Sequence, residues 1–244
     1  MEDVMQNLVR DVLDDVVAGV SFDLATQPLR QLNQFLHREL PAHAIRVSVA
    51  NPDGAHNIAV GVDAPIDIDI QGHAGYYAGG MNSLARITVH GNAGPAVAEN
   101  MMSGRVHVKG FASVAAGASG QGGLLVIDGD ASLRCGISMK GIDIVVAGNV
   151  GDFSAFMAQE GRLVICGDAG DALGDSLYEA VIYVRGRVKS FGADAHEEPM
   201  AESDYAAVAA LLADAGFAHD ARDFRRVASM RSLYHWNVDA NQEY

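Results

Sequence analysis

The sequence predicts a mainly β chain: a right-handed parallel β-helix (solenoid) of about seven 19-residue coils, with flanking α-helices at both ends. The first observation behind this is a phrase, apolar-x-apolar-x-Gly, that recurs from IDIQG to IYVRG. Its glycines, Gly72, Gly91, Gly110, Gly129, Gly148, Gly167 and Gly186, stand 19 residues apart every time. Self-similarity at a fixed period marks a repeat architecture. The second is that positions two and four before each glycine, such as Ile68 and Ile70 or Ile144 and Val146, are aliphatic in all seven repeats. That alternation is a strand with one buried face. The third is length. Nineteen residues are too few for a helix pair and carry no 3.6-residue apolar stripe, but they suit one coil in which every strand pairs with its equivalent one coil away.

Each coil needs corners. The glycine that ends each strand is expected to supply one, with backbone angles that a Cβ would obstruct. Seven residues further on, Gly79, Ala98, Gly117, Gly136, Ala155 and Gly174 mark a second bend that demands small residues. At ~4.8 Å per inter-strand step, seven coils make a prism about 30 Å long.

The chain divides into four parts in order. Residues 1–20 hold an amphipathic helix whose apolar stripe runs through Val4, Leu8, Val12 and Val16. Residues 21–63 hold a short extended piece, SFDLAT, then a helix over Pro28–Leu40 capped by Thr26 and stopped by Pro41. They close with two strands joined by the Asn51-Pro52-Asp53-Gly54 turn. Residues 64–193 form the β-helix itself. Residues 194–244 read as a helical cap and tail: one helix begins at Ser203 and ends at Gly216, and a second runs from Asp220 to about Tyr234. Both are expected to cover the open end of the solenoid, because an uncovered strand edge invites aggregation.

Composition excludes several classes. The net charge is −14 and most of it lies on the flanks, so an acidic chain without a basic run is a poor binder of nucleic acid or anionic membrane. Two cysteines, Cys135 and Cys166, make no disulfide framework. Cys135 shares a column with small apolar residues and reads as a core thiol, while Cys166 stands in the polar column before its glycine. No apolar run approaches a membrane span and the N-terminus is unlike a secretory signal, so a cytoplasmic location is expected.

Candidate chemistry is thin. GASGQGG (117–123) has the glycine content of a phosphate-cradling loop, but such loops open a helix, and here the strand LLVIDG comes next. His90 and His107 fall on outward positions of adjacent coils, which is one or two ligands short of an ordinary zinc site. Asp168, Asp171 and Asp175 have the closeness that paired-acid catalysis requires but occupy turn positions. Arg134 and Lys140 flank Cys135 and would lower its pKa if they were near it in space. No catalytic, cofactor-binding or metal-binding residue is assigned.

The connections between strands are richer. Tyr76, Tyr77 and Met81 in GYYAGGMN, and Met101 and Met102 in AENMMSG, mix aromatics and methionines with polar groups, as do RCGISMKG and DFSAFMAQEG. On one face they would form an adaptable surface for a protein partner; core filling by the same methionines is the competing reading.

The Gly-x-x-Gly-x-x-x-Gly steps in GHAGYYAGG and GDAGDALG resemble the GXGXG β-helix domain at the C-terminus of the glutamate synthase large subunit. The runs GAHNIAVGVDAPIDIDIQG, AGPAVAENMMSGRVHVKG, GGLLVIDGDASLRCGISMKGIDIVV and GDALGDSLYEA are more similar to a free-standing version, the GXGXG subunit of N-methylglutamate synthase (methylamine–glutamate N-methyltransferase). The likeness spans residues 21–244, from SFDLATQPLRQLN onward. It implies a structural subunit with no active site of its own in a hetero-oligomer. The implied partners are a class II glutamine amidotransferase-like subunit and a synthase-like subunit carrying FMN and iron–sulfur clusters. Nucleic acid and membrane are not expected partners. Two alternatives remain: a β-helix subunit of a formylmethanofuran dehydrogenase-type complex, and an independent polysaccharide-cleaving β-helix enzyme.

Overall fold

The computed structural model describes residues 19–41 and 46–230. The expected N-terminal amphipathic helix and the aromatic tail YHWNVDANQEY lie outside them. Strand β1 (Gly19–Asp23), helix α1 (Leu29–Arg38) and strand β2 (Arg46–Ala50) come first. The repeat then supplies β3 (Asp67–Gln71), β4 (Arg86–Val89), β5 (Arg105–Val108), β6 (Leu124–Ile127), β7 (Lys140–Val146), β8 (Glu160–Ile165) and β9 (Val181–Val184). Strand β10 (Ala195–Glu198), helix α2 (Glu202–Ala215), a 3-10 turn (Ala221–Asp223) and strand β11 (Arg225–Ser229) complete the described chain.

Strands β1 to β9 lie side by side in chain order and pair in parallel, which is the expected solenoid. The register is the repeat itself: Ile68 opposes Ile87, which opposes Val106, and the column continues through Leu125, Ile144, Leu163 and Ile182. All fourteen aliphatic positions of the repeat are buried. A second, one-residue-wide parallel ladder runs down another side through Ala74, Ala93, Ala112, Ala131, Val150, Ala169 and Val188.

The solenoid starts earlier than residue 64. Residues 46–62 contain only β2, which pairs in parallel with β3 and puts Val47 beside Ile68 and Val49 beside Ile70. After the Asn51–Gly54 turn the chain becomes the turning half of a further coil, where Asn57 N–H donates to the Tyr76 carbonyl at 2.9 Å and Gly61 N–H to Gly80 at 2.7 Å. A hairpin would have kept Val47 and Val49 out of the aliphatic columns. Parallel pairing extends those columns, so burial wins over the local turn signal. Helix α1 lays Leu32 and Leu36 onto this first part of the core, and Thr26 does not cap it: Pro28 holds the cap position, and the Thr26 hydroxyl donates instead to the Asp23 carbonyl.

The strand-ending glycines are required for a different reason from the one expected. Only Gly72 has a left-handed φ, +146°; the other six do not. Their constraint is the spacing of the coils. A Cβ on Gly91 would lie 2.7 Å from the Gly72 carbonyl, and one on Gly148 would lie 2.8 Å from the Gly129 oxygen and 2.2 Å from Asp130 Oδ1. The left-handed angles fall at the second bend, where Gly79, Gly117, Gly136 and Gly174 have φ of 62–69° and even Ala98 and Ala155 take 56° and 55°. This lets the amide of each such residue donate to the preceding coil, as Gly117 does to Val97 at 2.8 Å and Ala155 to Cys135 at 2.7 Å.

The C-terminal region departs furthest from expectation. Asp220 does cap, accepting from Arg222 N–H at 2.9 Å, but it opens a single 3-10 turn that leads into a strand, not a helix. Strand β11 runs antiparallel along the free edge of β9, and β10 runs antiparallel to β11. The edge of β9 is therefore paired by β11, with β10 lying beyond it. Helix α2 does not sit over the end. It lies across the outer face of the later coils, burying Val208, Leu211, Leu212 and Ala215 against Val126, Val145, Val164 and Tyr183. Its start is held by the Asp204 carboxylate, which accepts from Ala201 N–H at 2.8 Å, and Ser203 lies inside the helix.

Candidate docking face

The side of the coil opposite the sheet is built from turns. Residues in two of its columns adopt left-handed backbone without being glycine: Tyr77, Ala96, Ala115, Arg134 and Phe153 in one, Met81, Asn100, Ser119, Ser138 and Met157 in the other. Their amides donate forward to the next coil, as Tyr77 N–H does to Pro95 at 2.8 Å and Met81 N–H to Glu99 at 2.8 Å. Satisfying these amides between coils leaves the side chains pointing outward.

The structure therefore divides the predicted docking residues. Tyr76, Met81 and Met102 are exposed at 45–46%. Tyr77 is half-buried, with its ring against Gly80, where an added Cβ would meet it at 2.6 Å. Met101 is fully buried and does not belong to the face: it fills the core column shared with Met139, Ala158 and Leu177. The methionines thus serve both readings, some as core and some as surface. Leu133, Phe153, Met157, Tyr178 and Phe191 add exposed apolar area on later coils. Phe153 and Phe156 meet edge-to-face at 6.2 Å. Exposed apolar residues on most of the coils make an interrupted band along the solenoid, the form that an extended protein contact takes.

The other candidate residues are absorbed by the architecture. Asp168 Oδ1 accepts from Arg187 N–H at 2.7 Å, which holds its carboxyl below the usual range. Asp171 is held down likewise by Lys189 at 2.5 Å and by Ser190. Asp175 accepts from the Ser176 hydroxyl and from Ala193 N–H. Asp168 belongs to a ladder that sequence reasoning missed. Asn92, Asp130, Asn149 and Asp168, each just after a strand-ending glycine, accept from a backbone amide 19 residues on at 2.7–3.1 Å. The signal was available, because Asn or Asp comes directly after that glycine in four of the seven repeats.

His90 Nε2 meets Asp69 at 2.7 Å and His107 Nε2 meets Asp128 at 2.6 Å, so each imidazole is engaged by a different aspartate. Burial lowers the His107 pKa against the opposing pull of Asp128. Among the described residues, no three or more His, Cys, Asp or Glu side chains gather as a metal site. Burial pushes Cys135 up to about 12, and Arg134 and Lys140 are exposed and do not activate it. Cys166 stands on the outer face, as its column predicts, but is buried beneath α2, and burial raises it to about 11. GASGQGG is a solenoid turn feeding β6. Among the described residues no helix is long and apolar enough to cross a membrane.

No protein-family model matches the chain. Protein GlxC of Rhizobium meliloti (strain 1021) is 55% identical over 225 residues, which cover 91% of this chain and 98% of that protein. At that identity over almost the full length of both chains, this chain belongs to the GlxC family.

Proposed function

We propose that this chain is a structural subunit of a glutamate synthase-like assembly, specifically N-methylglutamate synthase, which forms N-methylglutamate from methylamine and glutamate. The observation that carries the reading is the exposed apolar band: Tyr76, Met81, Met102, Leu133, Phe153 and Met157 recur along a rigid solenoid and leave an extended surface for other chains. The resemblance of the glycine steps to the GXGXG domain supplies the assembly. In this reading an amidotransferase-like subunit and an FMN- and iron–sulfur-containing subunit do the chemistry, and the solenoid holds them in register.

Affinity capture of the tagged chain from its native host, with mass spectrometry and an absorbance spectrum of the eluate, tests the proposal. Co-elution of an amidotransferase-like chain and a yellow-brown flavin–iron–sulfur chain is expected, with methylamine-dependent activity. A colourless chain recovered alone would refute it.

A further inference from the structure

On the outer face of the earlier coils, the position that opens each strand forms a charged row: Arg46, Asp67, Arg86 and Arg105 oppose one another in register. Asp67, nearly buried, is held between Arg46 at 3.4 Å and Arg86 at 3.3 Å. Asp69 takes His90 at 2.7 Å and Arg46 at 3.8 Å, and Asp128 takes His107 and Lys109. Arg105 is left over. No described residue gives its half-buried guanidinium a hydrogen bond or an ion pair; Asp214 and Asp128 act on it only through space, and burial works against its charge. Arg46, Asp67, Asp69, Arg86 and Arg105 line a recess of about 190 Å³, together with Ile68, Ile87, Thr88 and His107.

A half-buried guanidinium without an acceptor is an unmet demand, because charged donors taken from water need replacement partners. Arg86 stands one coil away in register with Arg105, its Nε 3.3 Å from Asp67. Two planar guanidinium forks side by side match the two oxygens of a carboxylate. Three arginines against Asp67 and Asp69 line the recess, with Asp128 and Asp214 acting on Arg105 from beyond it, so the site suits at most a single negative charge. A phosphate dianion would overshoot and face both aspartates.

We propose that Arg86 and Arg105 form a receptor for a carboxylate group in this recess. The inference stands on the recess alone and is independent of the assembly proposed above. The carboxylate belongs either to a free small acid or to an acidic side chain of a bound protein, and the same chemistry recognises both.

The test is a titration of the purified full chain, labelled with 15N-arginine, with acetate, glutarate and inorganic phosphate at matched ionic strength, following the arginine Nε–H signals. Saturable shifts of Arg86 and Arg105 with acetate and glutarate are expected, and Arg105→Gln should weaken binding by about tenfold or more, the loss of one charge-assisted contact. Arg86→Gln serves as the second variant, and melting curves confirm that each variant is folded. Glutarate binding at least about tenfold tighter than acetate assigns a free diacid; equal affinity assigns a protein-borne carboxylate. No saturable shift beyond that of chloride, phosphate binding tighter than either carboxylate, or unchanged affinity in both folded variants would overturn the proposal.

Discussion

The two halves of the solenoid share one core and differ on their outer face. The outward position at the middle of each strand is Ser48, Asp69, Thr88 and His107 in β2 to β5, and Val126, Val145, Val164 and Tyr183 in β6 to β9. The apolar half is covered by α2, whose Val208, Leu211 and Leu212 pack on it. The polar half stays open and ties its charges together across coils, through Asp67 with Arg46 and Arg86 and through Asp128 with His107. The inner columns are alike in both halves; the outer column determines what can lie upon the coil.

The largest expected effect breaks this asymmetry. Val145→Asp would place an unpaired carboxylate beneath α2 and should cost about 3–5 kcal/mol, or detach the helix, while Thr88→Asp on the open half should cost under about 1 kcal/mol. Urea unfolding measures both, and equal costs would refute the difference between the halves. Next comes what the halves share. Gly91→Val and Gly148→Val should each cost about 3 kcal/mol or more, because the added Cβ meets the backbone of the preceding coil in either half. A melting temperature unchanged in either variant would contradict the close stacking.

The open half should also respond to pH. His107 has its pKa lowered in the folded state, so the folded protein binds fewer protons there than the unfolded chain. Its contribution to stability is present above the unfolded value, about 6.5, and is lost as the pH falls below it. His107→Gln should flatten the stability–pH curve in that window, and an unaltered slope would exclude His107 as its source. The smallest effect on folding belongs to the apolar band. Tyr76→Glu and Met102→Lys should change stability by no more than about 0.5 kcal/mol yet weaken partner capture severalfold. Undiminished capture by both variants would remove these residues from the contact surface.

Much of the fold was legible. The aliphatic columns, the coil length, the second bend, the end of α2 at Gly216 and the core thiol Cys135 could all be read from spacing. The docking residues were legible only in part: Met101 and Met102 are adjacent in the sequence, but one turns into the core and the other into solvent. Their neighbours read alike, and only the path of the coil separates them. The switch from polar to apolar in the outer column was also visible, and it marks where α2 docks, although nothing local named the helix that would cover it. Strand β11 was missed because Asp220 is a sound cap and the residues after it suit a helix; the unpaired edge of β9, remote in sequence, draws them into a strand instead.

The sequence by itself determined the coil, because a repeat writes each position's burial seven times over and the parallel register comes from matching like with like. The tertiary structure alone decided what meets that coil from elsewhere in the chain: α2 on its flank, β11 on its edge, and Arg105 with no acceptor among the described residues. It also decided why the glycines are needed. Their constraint is the distance to the backbone of the adjacent coil, a property of two segments brought together and not of either one.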